Sequence, residues 1–315
     1  MNNASELAAH VRTELGKVIV GQQEAVDQLL LVLLVGGHAL VEGVPGLAKT
    51  LSVKALAHIF QMTFQRVQCT PDLMPADVLG ANVFNMATSS FTLHRGPIFT
   101  DLLLVDEINR TPPRTQSALL EAMEERQVTI DGTSHALSQF FSVFATQNPI
   151  EFEGTYPLPE AQLDRFLVKI RMGYPQAEQE AQVLQNFQNG FDPRDLDRAG
   201  IVSLPSQTLL AAREEVARVR VEPALFQYIV ALAARTRNAP AVSLGASPRA
   251  AISLMLVAKG VAATEGRDFL IPDDVKAAVA PVLRHRLVIK PEADLEGVTA
   301  EQVIREVANS VPVPK

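Results

Sequence analysis

Five short apolar runs constrain this chain more than any other feature: His38 to Glu42, Phe64 to Cys69, Leu102 to Asp106, Phe141 to Thr146 and Phe166 to Ile170. None exceeds six residues, and the stretches between them are polar or helical and long enough for crossover connections. The pattern predicts an α/β fold, a parallel sheet whose strands are each buried on both faces by helices. Ser5 to Val35 carries apolar residues at helical spacing with a break at Gly21, which predicts two helices, and Leu51 to Phe60 resumes that period after a glycine-rich turn. Two hairpins are expected, one over Phe84 to His94 around Thr88-Ser89-Ser90 and one over Gln127 to Gln139 turning at Asp131-Gly132.

Beyond Gln176 strand-like runs largely disappear and the sequence becomes rich in Ala, Leu, Glu and Arg at helical spacing. One helix there is punctuated by Ser247 as N-cap, Pro248 as first helical residue and Gly260 as C-terminal cap. The chain of 315 residues therefore reads as two units, in line with roughly 150 residues per domain. The boundary falls between Pro175 and Pro205, and we divide the chain into an α/β unit over 1–175 and a smaller all-α unit over 176–315.

Charge narrows the partners. Acidic residues exceed basic ones by 35 − 28 = 7, so the whole molecule lacks the cationic field of a dedicated duplex binder, and nucleic acid is disfavoured. The single cysteine, Cys69, excludes an internal disulfide framework and a multi-cysteine zinc site, and its apolar setting reads as a buried structural thiol. Met1 to Glu6 has no signal-peptide character, and the most apolar run, Leu29 to Val35, is far short of the ~20 residues that span a bilayer. A cytoplasmic protein without membrane insertion is expected.

Two clusters carry chemistry. Gly43-Val44-Pro45-Gly46-Leu47-Ala48-Lys49-Thr50 follows G-x-x-x-x-G-K-[ST], except that Ala48 replaces the second fixed glycine. Such a loop, set between strand and helix, points consecutive N–H groups and a helix N-terminus (here Thr50-Leu51) at phosphate oxygens. Lys49 is then placed for the β- and γ-phosphates, and the Thr50 hydroxyl for Mg²⁺. Alanine lacks glycine's freedom at φ > 0, but residue 48 opens the helix, where that freedom is not expected to matter. Leu102 to Glu107 sets four apolar residues before two carboxylates, so a strand carries Asp106 to the sheet's carboxyl edge for the metal and Glu107 to orient or deprotonate an attacking water. A third strand end, Phe144-Ala145-Thr146-Gln147-Asn148-Pro149, presents Asn148, which suits either a turn or a γ-phosphate contact.

These motifs resemble those of the MoxR-type AAA+ ATPases, P-loop NTPases of the clade with a hairpin inserted in the second helix of the ATPase domain, and the resemblance covers almost the whole chain. Val20-Gly21-Gln22 resembles the adenine-side motif, Gly43 to Thr50 with its alanine the family's Walker A, and Leu103 to Arg110 its Walker B. The resemblance implies ATP and Mg²⁺ as ligands, with Leu51 completing the loop contacts, and it makes Asn148 sensor 1. It implies that Arg165, in Glu160 to Phe166, is an arginine finger given to a neighbouring subunit, with Arg110 and Arg114 as rivals. It implies that Ser247-Pro248-Arg249 is the sensor 2 signature, with Arg249 over the γ-phosphate of its own subunit. On the residues alone, Arg165 and Arg249 read equally well as surface arginines. The family further implies a ring, typically a hexamer, that acts like a chaperone on a von Willebrand factor A-domain client.

Two other classes compete with an ATP-hydrolysing remodeller. A nucleotide-gated scaffold with little hydrolysis is disfavoured by Glu107, and a nucleic-acid motor of the same clade by the net charge and by the absence of Lys and Arg from Phe84 to Leu93. A GTPase lacks support because no Asn-Lys-x-Asp tetrad occurs. No aromatic-hydrophobic-glycine loop is evident, which speaks against processive threading of a polypeptide. Lys49→Ala is expected to abolish ATP binding in calorimetry, and unchanged affinity would refute its phosphate role.

Overall fold

The computed structural model describes residues 3–148 and 154–314. The chain begins with α1 (Ala4–Gly16), capped by the Asn3 side chain on the Glu6 N–H, and α2 (Gln23–Val35). The α/β part then runs β1 (Ala39–Glu42), α3 (Lys49–Ile59), β2 (Phe64–Gln68), α4 (Pro75–Leu79), β3 (Gly80–Asn85), β4 (Ser90–Arg95) and β5 (Leu102–Asp106). It continues through α5 (Pro113–Glu125), β6 (Gln127–Ile130), β7 (Thr133–Ala136), β8 (Ser142–Gln147), α6 (Glu160–Leu163) and β9 (Val168–Arg171). The five expected strands form one all-parallel sheet in the order β2-β5-β8-β1-β9.

Side-chain alternation explains why the central strands are apolar throughout. Leu102 and Leu104 of β5, Ala39 and Val41 of β1 and Phe144 of β8 join one core. Leu103 and Val105, Leu40, and Val143 and Ala145 join a second core across the sheet. The expectation of burial on both faces fails at β2. It is an edge strand, and Gln65, Arg66 and Gln68 are exposed while Val67 is buried.

Both hairpins form. Asp131 and Gly132, with φ of +47° and +79°, make the two-residue turn between β6 and β7, and the pairing of Ile130 with Thr133 closes it. The other hairpin begins earlier than expected, at Gly80, and turns over Met86 to Ser89, since Ser90 already pairs with Asn85. It extends to Arg95, whose guanidinium lies 5.0 Å from the centre of the Phe99 ring.

The remaining chain is helical: α7 (Ala177–Gln188), α8 (Gln207–Arg218), α9 (Pro223–Arg237), α10 (Pro248–Thr264), α11 (Pro272–Leu283), α12 (Pro291–Leu295) and α13 (Ala300–Ser310). A small antiparallel ribbon of β10 (Val242–Leu244) and β11 (Val288–Ile289) interrupts it. This helical lid follows the α/β part and is not insulated from it. The core under β1 and β9 continues without a break through α1 and α2 into α10 and α11. Leu29, Leu30, Val32, Leu33 and Leu34 of α2 are therefore almost wholly buried, because α2 packs against both the sheet and the lid.

Ser247 caps α10 through the Ala250 N–H and Pro248 opens the helix, but Gly260 is not its cap. The helix runs on to Thr264, and the left-handed glycine beyond it is Gly266. Gly260 is buried inside α10, where a Cβ would lie 3.0 Å from Leu31 Cδ2 and 3.5 Å from Val35 Cγ2 of α2. It thus sets how closely the lid approaches α2. Gly260→Val is expected to lower stability by about 1–3 kcal/mol through overpacking, read as a fall in melting temperature, with Gly260→Ala milder.

Candidate functional site

The parallel register brings the candidate residues together. Glu42 pairs with Gln147 and Gln68 with Asp106, so β1, β2, β5 and β8 end nearly level at the carboxyl edge. The loop after β1, the carboxylates after β5 and the amide after β8 meet there in a cleft of about 450 Å³. Pro45, Gly46, Leu47, Ala48, Lys49, Thr50, Leu51, Asp106, Glu107 and Asn148 all line it.

Within the loop, Gly46 has φ +86° and Ala48 has φ +59°, ψ +21°. Residue 48 therefore does occupy the left-handed region, against the expectation that its place at the helix start made that freedom unnecessary. A non-glycine residue there stores on the order of 1–2 kcal/mol, and alternating backbone handedness of this kind turns successive N–H groups toward one point. Lys49 donates from Nζ to the Gly43 carbonyl at 2.6 Å. Burial pushes its pKa down, while the nearby charges of Asp106 and Glu107 push it up. Gly43 itself cannot be larger, because a Cβ would come within 2.8 Å of the Met172 carbonyl, and Val44 packs against the core.

Asp106 is buried, and its carboxylate accepts from Thr146 Oγ1 at 2.9 Å and from Arg66 Nε at 2.7 Å. Glu107 is also left-handed, φ +59°, and its backbone N–H donates to the same Thr146 hydroxyl at 2.9 Å. Thr146 thus ties β8 to the carboxylate pair. The Glu107 carboxylate meets Arg110 Nε at 2.9 Å and the Gln68 amide at 3.4 Å. Arg66, Gln68 and Thr146 had not been singled out from the sequence. For Arg66 and Gln68 the signal was the polar content of a run read as apolar, which marks an edge strand whose open face borders the cleft, and for Thr146 it was a lone hydroxyl at the end of an apolar strand. Asn148 is buried at the cleft's edge, while Pro149 of the same motif lies outside the described residues.

A second, mostly apolar cavity of about 230 Å³ adjoins the loop. Val20 lines it, as do Val18, Ile19 and Gln22 from the α1–α2 connection and Val183, Phe187 and Phe191 from in and after α7. Gly21 stands behind this wall with φ +71°, and a Cβ there would strike the Gln179 side chain of α7. The α7 contribution was missed, though Val183 and Phe187 stand at i, i+4 in a helix whose other large apolar residue, Leu184, is exposed. Cys69 is buried as expected, and burial raises its thiol pKa to about 11.

The two candidate arginines lie elsewhere. Val168, the first residue of β9, pairs with Ala39, the first of β1, so Arg165 sits at the amino edge of the sheet. A four-residue strand, about 13 Å at 3.3 Å per residue, separates that edge from the loop. Arg165 donates from Nη1 to the Leu120 carbonyl at 2.8 Å and lies 3.8 Å from Glu124. Arg249 pairs with the same Glu124 carboxylate. Arg249 is therefore not placed over its own subunit's loop. The reason is that Ser247 donates to Asp164 at 2.9 Å and so fastens the start of α10 to the segment before β9. Of the rival arginines, Arg110 is engaged with its own Glu107, and Arg114 is exposed near the start of α5.

Comparison with known proteins finds relatives along nearly the whole chain. The family model for the ATPase family associated with various cellular activities (AAA) matches residues 38–168, and the AAA lid domain model matches residues 234–307. The chain is 45% identical to the YeaC protein of Bacillus subtilis over 95% of its own length and 92% of that protein's. It is 42% identical to the chaperone MoxR1 of Mycobacterium tuberculosis, covering 99% of this chain and 85% of that one. A crystal structure from Cytophaga hutchinsonii, described as a candidate ATPase, superposes with a TM-score of 0.88 at 40% identity over 99% of this chain and 98% of its own.

Because Ala48 carries backbone strain that glycine would not, Ala48→Gly is expected to keep nucleotide affinity within about threefold and to raise or preserve the melting temperature. A loss of affinity above tenfold in calorimetry would mean that the alanine methyl itself is needed.

Proposed function

The chain belongs to the MoxR-type AAA+ ATPases, and from that premise we propose that it binds ATP with Mg²⁺, hydrolyses it between adjacent subunits and uses the cycle to remodel or activate partner proteins. The observation that carries this reading is the division of its charged groups between the two edges of one sheet. Lys49 and the strained loop receive the triphosphate at the carboxyl edge, and the apolar cavity beside Val20 and Phe187 receives the base. Thr50 and Asp106 offer one hydroxyl and one carboxylate in the same cleft, a hard and sparse donor set that suits Mg²⁺, which keeps waters and takes phosphate oxygens. When bound there, the ion draws charge from the β- and γ-phosphate oxygens.

Glu107 acts as the base or orienter of the attacking water, with its backbone held by Thr146 and its carboxylate held at the cleft by Gln68 and Arg110. Asn148 contacts the water or the γ-phosphate from the end of β8. Arg165 and Arg249 stand at the opposite edge, so they serve a neighbour's phosphate, Arg165 as expected from the sequence and Arg249 contrary to it. That arrangement requires at least two subunits, and a closed ring, a hexamer by family, gives every site the same environment. The α/β unit and the lid divide at 175/176, with α7 closing the apolar cavity from the lid's side. A von Willebrand factor A-domain protein is the proposed client. A cytoplasmic location is part of this reading; separately, among the described residues no helix is long and apolar enough to cross a membrane.

Subunit mixing tests this reading. Glu107→Gln, Arg165→Ala and Arg249→Ala should each bind ATP but lose at least about 100-fold in turnover. Glu107→Gln mixed with either arginine variant should recover partial ATPase activity, because an intact base then meets intact arginines across a boundary. Arg165→Ala mixed with Arg249→Ala should stay inactive, since neither can donate both arginines. Recovery in that last mixture would return Arg249 to its own subunit's site.

A further inference from the structure

Arg286, which follows α11, is the most fully engaged side chain in the lid. It is buried, and its five N–H groups face six oxygens, two of them on Asp164. Nε donates to Asp164 Oδ1 at 2.6 Å, and Nη1 donates to the carbonyls of Val282 at 2.6 Å and Leu167 at 3.1 Å. Nη2 faces the carbonyls of Phe166 at 2.7 Å and Asp164 at 3.1 Å and the Ser253 hydroxyl at 3.2 Å. The other carboxylate oxygen of Asp164 takes the Ser247 hydroxyl at 2.9 Å, and the neighbouring His285 ring bonds the Phe166 carbonyl at 3.0 Å.

These partners are not scattered. Asp164, Phe166 and Leu167 bracket Arg165, and Ser247 and Ser253 bracket Arg249 on the first turns of α10. A guanidinium is planar and rigid, so satisfying both sets at once holds them in one geometry. Burial pushes the Arg286 pKa down while the Asp164 carboxylate opposes that shift, and a carboxylate pair with hydrogen bonds on every N–H offsets the cost of burying the charge. The two arginines themselves have looser restraints: apart from the bond of Arg165 to the Leu120 carbonyl they converge on one half-exposed carboxylate, Glu124, and a surface pairing of that kind is too weak to hold them in register.

We infer that Arg286 is a positioning residue for the intersubunit reaction: through Asp164 and Ser247 it joins the Arg165 segment and the start of α10 into one block, so that both arginines are presented together to the neighbouring subunit. This rests on the trans reading given above. It follows that Arg286 is needed by a subunit when it donates arginines and not when it receives them, because its own loop, Asp106 and Glu107 lie at the far edge of the sheet.

That asymmetry separates positioning from mere stability. Arg286→Lys keeps the charge but cannot reach both sets of oxygens. It should bind ATP normally and lose about 10- to 100-fold in kcat with little change in KM, the scale expected when a transition-state group is displaced by about 1 Å. Mixed with Glu107→Gln, it should recover activity as Arg165→Ala does, since its own site receives intact arginines from the partner. Mixed with Arg165→Ala, it should stay inactive. A full rate in Arg286→Lys alone, or no recovery with Glu107→Gln although Arg165→Ala recovers with it, overturns the proposal. If Arg165→Ala itself fails to recover, the trans reading falls, and this inference with it. Should Arg286→Lys melt below the assay temperature, Asp164→Asn takes its place in the same mixtures, with a loss of several-fold in kcat alone expected and recovery with Glu107→Gln again required.

Discussion

Parallel strand pairing is the constraint on which the rest of this protein depends. Five strands that run the same way give the sheet two chemically different edges, one collecting every carboxyl end and the other every amino end. The loop after β1, the carboxylates after β5 and the amide after β8 meet at the first edge because the register leaves those ends level. The same polarity sends the lead-in to β9, and Arg165 with it, to the second edge. A single subunit thus carries one half of the proposed site at each edge, and the halves are a strand length apart.

Holding that sheet rigid falls to the two cores. The central strands bury alternate side chains on opposite faces, so neither face can shift without opening apolar packing. One core continues through α2 into the lid, and the close approach at Gly260 makes lid and sheet parts of one packed body on that side. Polar fastening joins lid and sheet at two places, where the buried Arg286 meets Asp164 and where Arg171 and Arg284 meet Glu301. Surface ion pairs such as Arg198 with Asp195 or Arg218 with Glu214 add little to this, being solvated on both partners. Backbone strain is spread over several turns, and part of it borders the site. Of the seven described non-glycine residues with positive φ, Gln22, Ala48 and Glu107 border the two adjoining cavities.

Much of this was legible beforehand, and the failures have physical causes. Strand positions, the two opening helices and the Asp131-Gly132 turn follow from periodicity and local turn chemistry, which act over a few residues. The loop lysine and the carboxylate pair follow from motif spacing along single strand ends. Gly260 was misread because a glycine at a plausible stopping point has the same letter as one that admits a neighbouring helix, and only α2 distinguishes them. Ala48 was misread because helix-start position says nothing about the handedness that the loop imposes. The polar face of β2 and the α7 wall of the apolar cavity were missed because each depends on which element lies opposite.

The sequence by itself determined the chemistry available: a glycine-containing loop with its lysine, two carboxylates at a strand end, an amide at another, and two arginines far apart in the chain. It also determined the parallel class of the sheet, since buried apolar runs with long connections have few other solutions. Only the tertiary structure decided that Arg165 and Arg249 share one carboxylate at the edge opposite the loop, and that Arg286 binds their two segments together. The reason is that periodicity and motif spacing record what a residue does with near neighbours, whereas these contacts join positions distant in the chain, from Arg165 with Glu124 to Ser247 with Asp164 and Arg286 with Asp164, and are set by strand polarity and lid packing.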